Sequence, residues 1–414
     1  MTGLERVVIV GGGQAGARAA QAMRAGGYTG SIAIVAEEGH PPYQRPPLSK
    51  AVLTAAGGFD QVRIHAEDYC VTAGIDVLLG SPARAIDRAR CEVHVADGRI
   101  LPYDRLLLAT GARPRRIALP GDDLDGVLYL RSYDDAQVLR RRLVPEARVV
   151  IIGGGFIGLE VAASARALGC AVTVLEAGDR LMGRALAPAV GDWFAGLHRE
   201  RGVDVRLATT PVGFSGADKV GAVVLPGGER IPADLVVVGI GIVPNVELAS
   251  DAGLETANGI VVDVHCRTSD ERIFAAGDVT SQRHPALAGR IRLESYQNAQ
   301  GQGLAAGRNV IGIDTPYVDR LWVWSDQHGV NLQMLGMPGA GDRLVYRGDP
   351  ASGAFTVFYM RGRRIAAVNA INTGRDLRQI EGLMGAGVDV DPWQLEDAAV
   401  RYRDLMPPAP GAAA

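Results

Sequence analysis

The chain is poor in cysteine, in aromatic residues and in long apolar runs, and each shortage excludes something. Only four of its 414 residues are cysteines: Cys70, Cys91, Cys170 and Cys266. No two of them stand in a C-x-x-C or C-x4-C spacing, so neither a redox dithiol nor a cysteine-ligated zinc site is encoded, and no metal site is expected. Cys170, in Gly169-Cys170-Ala171 just before an apolar strand, reads as a small buried residue. Aromatic residues make up 5%, which together with 54 glycines fits an α/β protein whose loops come close to a ligand. No apolar run is long enough to span a bilayer, and no basic-then-apolar leader precedes the first strand. A soluble, cytoplasmic protein without membrane contact is expected. An excess of positive charge is missing too: 43 Lys and Arg against 46 Asp and Glu leave a formal net charge of −3. General nucleic-acid binding needs the opposite balance.

What the chain has in quantity is glycine, and its placing organises the rest. In Arg6 to Ala20, a short apolar run enters Gly11-x-Gly13-x-x-Gly16, and an alanine-rich helical segment follows. Strand, glycine turn and helix N-terminus in that order make a site for a dinucleotide pyrophosphate. The turn glycines let the backbone approach the phosphates, and the helix start, with Gln14 and Ala15, offers free N–H groups. A second apolar strand, Ser31 to Val35, ends at Glu37, which lies at about the spacing where a carboxylate binds a ribose hydroxyl. The plain alternative for Glu37 is a solvated acid at a strand end.

His40 to Lys50, HPPYQRPPLSK, cannot be a regular element, because its prolines remove donors and restrict their neighbours, though its end, Leu48-Ser49-Lys50, can begin a helix. It is either a rigid holder for the Lys50 charge beside a nucleotide or a surface loop with an exposed lysine. Ile75 to Leu79 reads as a strand, and Arg90 to Ile100 as a hairpin about Asp97-Gly98. Leu106 to Ala109 then runs into Thr110-Gly111, backbone packed against the nucleotide or the interdomain crossing.

From Arg148 the plan repeats. RVVIIGGGFIGLEVAASA carries Gly153-x-Gly155-x-x-Gly158, with Phe156 and Ile157 inside the motif, and Ala171 to Leu175 ends at Glu176. Two such units imply two dinucleotides. A glutamate at 176 favours a free 2′-hydroxyl and repels a 2′-phosphate, so the second nucleotide is expected to be NAD, a preference that Arg180 and Arg184 could soften. Leu235 to Val238 leads into Gly239-Ile240-Gly241, mirroring the end of the first unit. Later, Arg272 to Val279 is an apolar strand ending in Gly277-Asp278, and helical character follows from Gln297 to Ile311. If that strand rejoins the first sheet, the first domain is discontinuous. The expected organisation is therefore α/β: a dinucleotide-binding domain over 1–115 and 246–320, a second over 116–245 inserted in it, a C-terminal α+β domain over 321–406, and a disordered tail over 407–414. Both larger domains are Rossmann-like.

Taken together, the two glycine motifs, Thr110-Gly111 and Phe274-Ala-Ala-Gly277-Asp278 resemble those of the two-dinucleotide flavoprotein reductases with the glutathione reductase fold. Tyr43-x-Arg45-Pro46-Pro47-Leu48-Ser49-Lys50, Tyr129-Leu130-Arg131-Ser132, Glu294-Ser295 before Asn298, and Trp322-Val-Trp324-Ser325-Asp326-Gln327 narrow the likeness. They are similar to the ferredoxin reductase components of bacterial oxygenase systems, the putidaredoxin reductase and biphenyl dioxygenase reductase group. The resemblance implies FAD in the first domain, NAD(H) in the second, and electrons passed to a small 2Fe–2S ferredoxin. That ferredoxin would feed a cytochrome P450 or a ring-hydroxylating dioxygenase. It also places Ala15, Glu37, Arg45, Lys50, Ala83, Arg131, Asp278, Glu294, Ser295, Tyr296 and Trp324 towards FAD. Gly155 to Glu160, Glu176, Arg184 and Ile240-Gly241 fall towards NAD.

A fixed ammonium beside the flavin would stabilise negative charge on it in a water-poor site, and Lys50 is the candidate. In this fold a lysine so placed pairs with the glutamate two residues past the second motif, here Glu160, whose plain alternative is a helix N-terminal acid. Asp278 would bond the ribityl chain, Arg131 would offset pyrophosphate charge, and no residue need act as nucleophile. A transient electrostatic complex with an acidic ferredoxin near the flavin edge is expected, with Arg63, Arg290, Arg292 and Arg308 as candidate basic contacts. A monomer or weak dimer is expected. The rival readings are a rubredoxin reductase, differing only in acceptor, and an apoptosis-inducing-factor-like protein in which FAD and NADH set a conformation for partner binding. The absence of cysteine from the Tyr43 to Lys50 segment argues against a disulfide reductase.

Overall fold

The computed structural model describes residues 4–55, 58–284 and 289–407. Of the tail expected to be disordered, residues 408–414 lie outside the described part. By packing, the chain separates into two units. One comprises Met1–Pro47, Ala56–Arg115 and Ile242–Arg320, and the other Leu48–Ala55, Arg116–Gly241 and Leu321–Ala414.

The first unit is built on a parallel sheet of Ile273–Ala275, Arg105–Leu108, Arg6–Val10, Ser31–Val35 and Ile75–Leu78, in that order. Arg6–Val10 lies at its centre and is buried from Val7 onward, as an all-apolar strand covered on both faces must be. Its side chains alternate between two cores. Val7 and Ile9 pack with the helices Gln14–Ala25 and Tyr296–Val310, while Val8 and Val10 face an antiparallel layer of Ala83–Asp87, Glu92–Val95 and Ile100–Pro102. The hairpin read from sequence turns at Gly98 (φ +91°), and Ala83–Asp87 is its additional, unforeseen edge.

Those two helices cross at close range because small residues face each other. A Cβ on Gly303 would stand 2.5 Å from the Ala15 carbonyl oxygen, and one on Gly307 would stand 2.4 Å from that of Ala19. Buried Gln302 fastens the same helix to the returning strand: its Oε1 accepts from the Gly277 N–H and the Thr280 hydroxyl at 2.8 and 2.9 Å. Where the chain leaves and re-enters this unit, Ala112–Pro114 and Ile242–Pro244 form a two-stranded antiparallel ribbon. Thr110 and Asn245 lock it with reciprocal side-chain-to-backbone bonds of 2.7 and 2.9 Å.

The second unit repeats the plan with Val203–Arg206, Ala171–Leu175, Arg148–Ile152, Leu235–Val238 and Val127–Leu128, all parallel. Val127–Leu128 was not foreseen, since two residues are too short for any periodicity. The C-terminal part adds an antiparallel sheet, ordered Trp322–Gln327, Val330–Gly336, Arg364–Ile371, Phe355–Arg361 and Arg343–Arg347. Its first hairpin turns on His328 and Gly329, both at positive φ (+52° and +81°), which matches the twist of the flanking strands.

The proline-rich segment corrects one expectation. Pro46–Ser49 forms a turn of 3-10 helix, and Ala51–Thr54 a turn of α-helix, so the segment is regular where the prolines stop restricting it. Leu48–Ala55 belongs with the second unit because Ser49 and Lys50 bond there: the Ser164 hydroxyl donates to the Ser49 carbonyl at 2.7 Å.

The helix crossing gives the first expectation. Gly303→Val drives a side chain into the Ala15 backbone and should cost about 1–3 kcal/mol of stability, read as a lower thermal midpoint. Gly196→Ala, on an open helical site with φ outside the positive region, should leave the midpoint unchanged or raise it.

Candidate functional site

Two backbone cradles, one in each unit, agree atom for atom. In the first, Gly11 has φ +120° and a Cβ there would lie 2.1 Å from the Ala109 carbonyl oxygen; in the second, Gly153 has φ +106° and the Gly239 oxygen stands at 2.5 Å. The last glycine of each motif, Gly16 or Gly158, packs against the first, with the Gly11 or Gly153 oxygen 2.1 or 2.2 Å from a built Cβ. Only glycine fits at these four places. The middle glycines differ: a Cβ on Gly13 or Gly155 meets nothing within 4 Å, so each cradle opens to free space there. Helices Gln14–Ala25 and Phe156–Ala167 start at these open glycines with no side-chain cap and no acid in the first turn. The N–H groups of Gln14, Ala15 and Gly16, and of Phe156, Ile157 and Gly158, precede the first helical bonds and are left for an anion. The residues present fit a pyrophosphate in each unit.

The acids are placed differently. Strand registers are the same, since Gly11 N–H bonds the Val35 carbonyl as Gly153 N–H bonds that of Leu175. Glu176 therefore follows its strand at once, and its Oε2 and Oε1 accept from Gly154 and Gly178 N–H at 2.6 and 2.7 Å. In the first unit Ala36 fills that place, and the exposed Glu37 comes one residue later. Arg184 lies beside Gly241, which has φ +101°, next to Ile240.

The second unit also holds a charged centre. Glu160, 3% exposed, has Lys50 Nζ at 2.8 Å from Oε2, accepts from the Ser49 hydroxyl on the same oxygen, and accepts from the Ser325 hydroxyl on Oε1 at 2.7 Å. A buried carboxylate needs this many donors to stay ionised. It stands in the second turn of its helix, beyond the first turn where an N-terminal acid would meet the helix dipole. Lys50 borders a cavity of about 580 Å³ whose wall includes Arg166, Arg201, Asp326 and His328. The chain has only two lysines, Lys50 and Lys219, among 43 basic residues. That bias towards arginine was a readable signal for Lys50. Ser49, Ser325 and Gln327 stand in motifs that carry the resemblance, but nothing in the sequence marked them as neighbours of Glu160, and His198 carried no signal.

The remaining candidates fall into place by unit. In the first, Arg45 binds Glu38 at 2.5 Å; burial opposes its charge, but Tyr43, Glu38 and nearby Asp278 hold its pKa above the usual arginine range. Gly277 and Asp278 follow the strand Ile273–Ala275, and Thr110 and Gly111 form the ribbon lock. Ala83 opens an edge strand; Ser295 caps the helix that Tyr296 begins, accepting from Asn298 N–H at 3.1 Å; and Glu294 pairs with Arg292. In the second unit, Arg131 N–H bonds Asp135 at 3.0 Å, and half-buried Trp324 lies in the strand that ends at Gln327. Of the proposed basic contacts, Arg63 is paired with Asp60 and Arg292 with Glu294, so they do not stand as bare charges. Cys170 is buried and donates to the Val144 carbonyl, and burial pushes the Cys266 thiol far up. Among the described residues no cluster could hold a metal ion, and no helix is long and apolar enough to cross a membrane.

Residues 5–303 match the pyridine nucleotide-disulphide oxidoreductase family, and residues 322–406 match the reductase C-terminal domain. The ferredoxin–NAD(+) reductase component of the anthranilate 1,2-dioxygenase system of Burkholderia cepacia is 46% identical over 96% of this chain and 98% of its own. A rubredoxin–NAD(+) reductase of Pseudomonas putida is 39% identical over 92% and 98%. Among solved structures, the covalent putidaredoxin reductase–putidaredoxin complex matches with a TM-score of 0.94 at 39% identity, covering 97% of this chain and 98% of the other.

The cavity edge gives a pH expectation. Burial, then His198, Arg201 and Arg166, push His328 down to about 4. The unfolded chain, with an ordinary histidine near 6.5, binds this proton first. Stability should therefore fall as pH drops from about 6.5 to about 4, and His328→Asn should flatten that part of the thermal-midpoint profile.

Proposed function

The chain belongs to the pyridine nucleotide-disulphide oxidoreductase family, and from that footing we propose that it is an NADH:ferredoxin oxidoreductase. It takes electrons from NADH and passes them through FAD to a small 2Fe–2S ferredoxin that serves a cytochrome P450 or a ring-hydroxylating dioxygenase, and it works in the cytoplasm. The observation that carries this reading is a pair of dinucleotide cradles in a chain without a redox dithiol. Electrons received from NADH have no thiol acceptor within the protein and must leave it. The relatives named above for ferredoxin reduction support the same direction.

Bound FAD supplies the conversion of a hydride into two single electrons. The protein's own residues bind, orient and charge the site. Gly11, Gly13 and Gly16, with the N–H groups of Gln14 and Ala15, hold the FAD pyrophosphate; Asp278, Arg45 and Glu37 secure the rest of that nucleotide. Gly153, Gly155 and Gly158 hold NAD(H), and Glu176, already fixed by Gly154 and Gly178, accepts from the ribose hydroxyls. Lys50 supplies a fixed positive charge for the flavin, and Glu160 holds that ammonium in one position. No side chain forms a covalent bond to the substrate.

A second reading, rubredoxin reduction, is favoured by the rubredoxin–NAD(+) reductase likeness. NADH-dependent reduction of cytochrome c, mediated by a panel of 2Fe–2S ferredoxins and rubredoxins, separates the two. At least one ferredoxin should support turnover well above every rubredoxin; the reverse order would establish the second reading. For the coenzyme, ferricyanide reduction should favour NADH over NADPH, and Glu176→Ala should shrink the preference by roughly tenfold, the worth of a charge-assisted hydrogen bond.

A further inference from the structure

Behind Glu160 runs a chain of side chains with a single direction. His328, at the tip of its hairpin, has Nε2 3.1 Å from Nδ1 of His198. Nε2 of His198 lies 2.9 Å from Oε1 of Gln327. The Gln327 amide nitrogen reaches Ser325 Oγ at 3.0 Å and the Met182 sulfur at 3.8 Å. Ser325 then donates to Glu160 at 2.7 Å. His198, Gln327 and Ser325 are each 1% exposed or less.

The direction follows from what each group can do. A thioether sulfur only accepts, so the amide nitrogen of Gln327 faces Met182 and its oxygen faces His198. An amide oxygen only accepts, so His198 carries its proton on Nε2. Burial keeps both imidazoles neutral, lowering the His198 and His328 pKa values, so Nδ1 of His198 is a lone pair and receives the His328 N–H. The Gln327 N–H occupies a lone pair of the Ser325 hydroxyl and leaves its proton for Glu160.

We infer that His198 is a positioning residue for the Lys50–Glu160 pair: its Nε2–H sets the Gln327 amide, which turns the Ser325 hydroxyl onto Glu160 Oε1 and leaves Oε2 to Lys50 and Ser49. His328 is the outer end that fixes the tautomer. With His198 protonated on Nδ1 instead, the amide would turn over, Ser325 would donate to Gln327, and Glu160 would lose one of its three donors. The bearing of this chain on catalysis rests on the reading of Lys50 given above; the setting of Lys50 does not.

Because Lys219 is the chain's other lysine and is exposed, it serves as an internal reference for amine chemistry. The full-length protein with its bound flavin is labelled with acetic anhydride at a series of pH values, and the Lys50 to Lys219 ratio is read by mass spectrometry. His198→Gln keeps an N–H donor for Gln327; His198→Phe keeps the ring volume and loses the donor. His198→Phe should raise Lys50 labelling by about threefold, since a loosened ion pair frees the amine to react. His198→Gln should match the parent protein. Ser325→Ala cuts the chain one link from Glu160 and should repeat the His198→Phe result, which covers the case of a misfolded ring variant. Lys50 labelling that stays at the parent level in His198→Phe or in Ser325→Ala overturns the inference, as does a His198→Gln variant that behaves like His198→Phe. The rate of flavin reduction by NADH is measured on the same samples. A labelling change without a rate change upholds the positioning chain and removes Lys50 from the reaction.

Discussion

One buried carboxylate sets the terms for the second unit. Glu160 lies in the interior, where an ionised carboxyl is tolerable only if donors meet it from several sides. They come from two distant stretches of chain: Ser49 and Lys50 from the proline-rich segment, and Ser325 from the C-terminal sheet. The requirement therefore ties those stretches to the helix that carries the second cradle. It also accounts for the grouping of Leu48–Ala55 with the second unit. An apolar residue at 160 would relieve the desolvation cost but would leave Lys50 without this counter-charge.

The cradles rest on a different constraint, the approach of backbone to backbone. Gly11 against Ala109, Gly16 against Gly11, and their counterparts Gly153, Gly239 and Gly158 leave no room for a side chain. The same rule governs Gly303 and Gly307 over Ala15 and Ala19. Small residues thus do two jobs: they leave open space at Gly13 and Gly155, and they let the helices approach closely.

How legible this was in the sequence depends on distance along the chain. The cradles were readable because strand, turn and helix start are contiguous, and the second copy made the reading firm. The return of Ile273–Ala275 to the first sheet was readable only as a conditional, because nothing local marks which sheet a strand joins. Glu37 was singled out by spacing, yet spacing could not reveal that Ala36 takes the place equivalent to Glu176. Ser325 lies 165 positions from Glu160, and His198 is 129 from Gln327. Such partners leave no periodic trace, because contacts so far apart along the chain follow no local period. The helix Ala51–Thr54 follows directly on Leu48-Ser49-Lys50, where a helix start was readable, whereas the 3-10 turn Pro46–Ser49 was missed because proline rules forbid interior helix positions, not the first turn.

The ribbon of Ala112–Pro114 and Ile242–Pro244 has an evolutionary side. Pro114 and Ile242 are register partners, so the ends of the whole intervening segment stand as far apart as the two sides of a hairpin turn. A duplicated nucleotide fold could have entered an ancestral single-fold protein at such a turn without disturbing one strand register of its host. The same geometry allows its removal on paper, with a tight turn closing the gap. What would not survive is the electrostatic home of Lys50, because Glu160 departs with the insert. The host could donate its loop to the newcomer, but after that exchange neither part is free to lose the other.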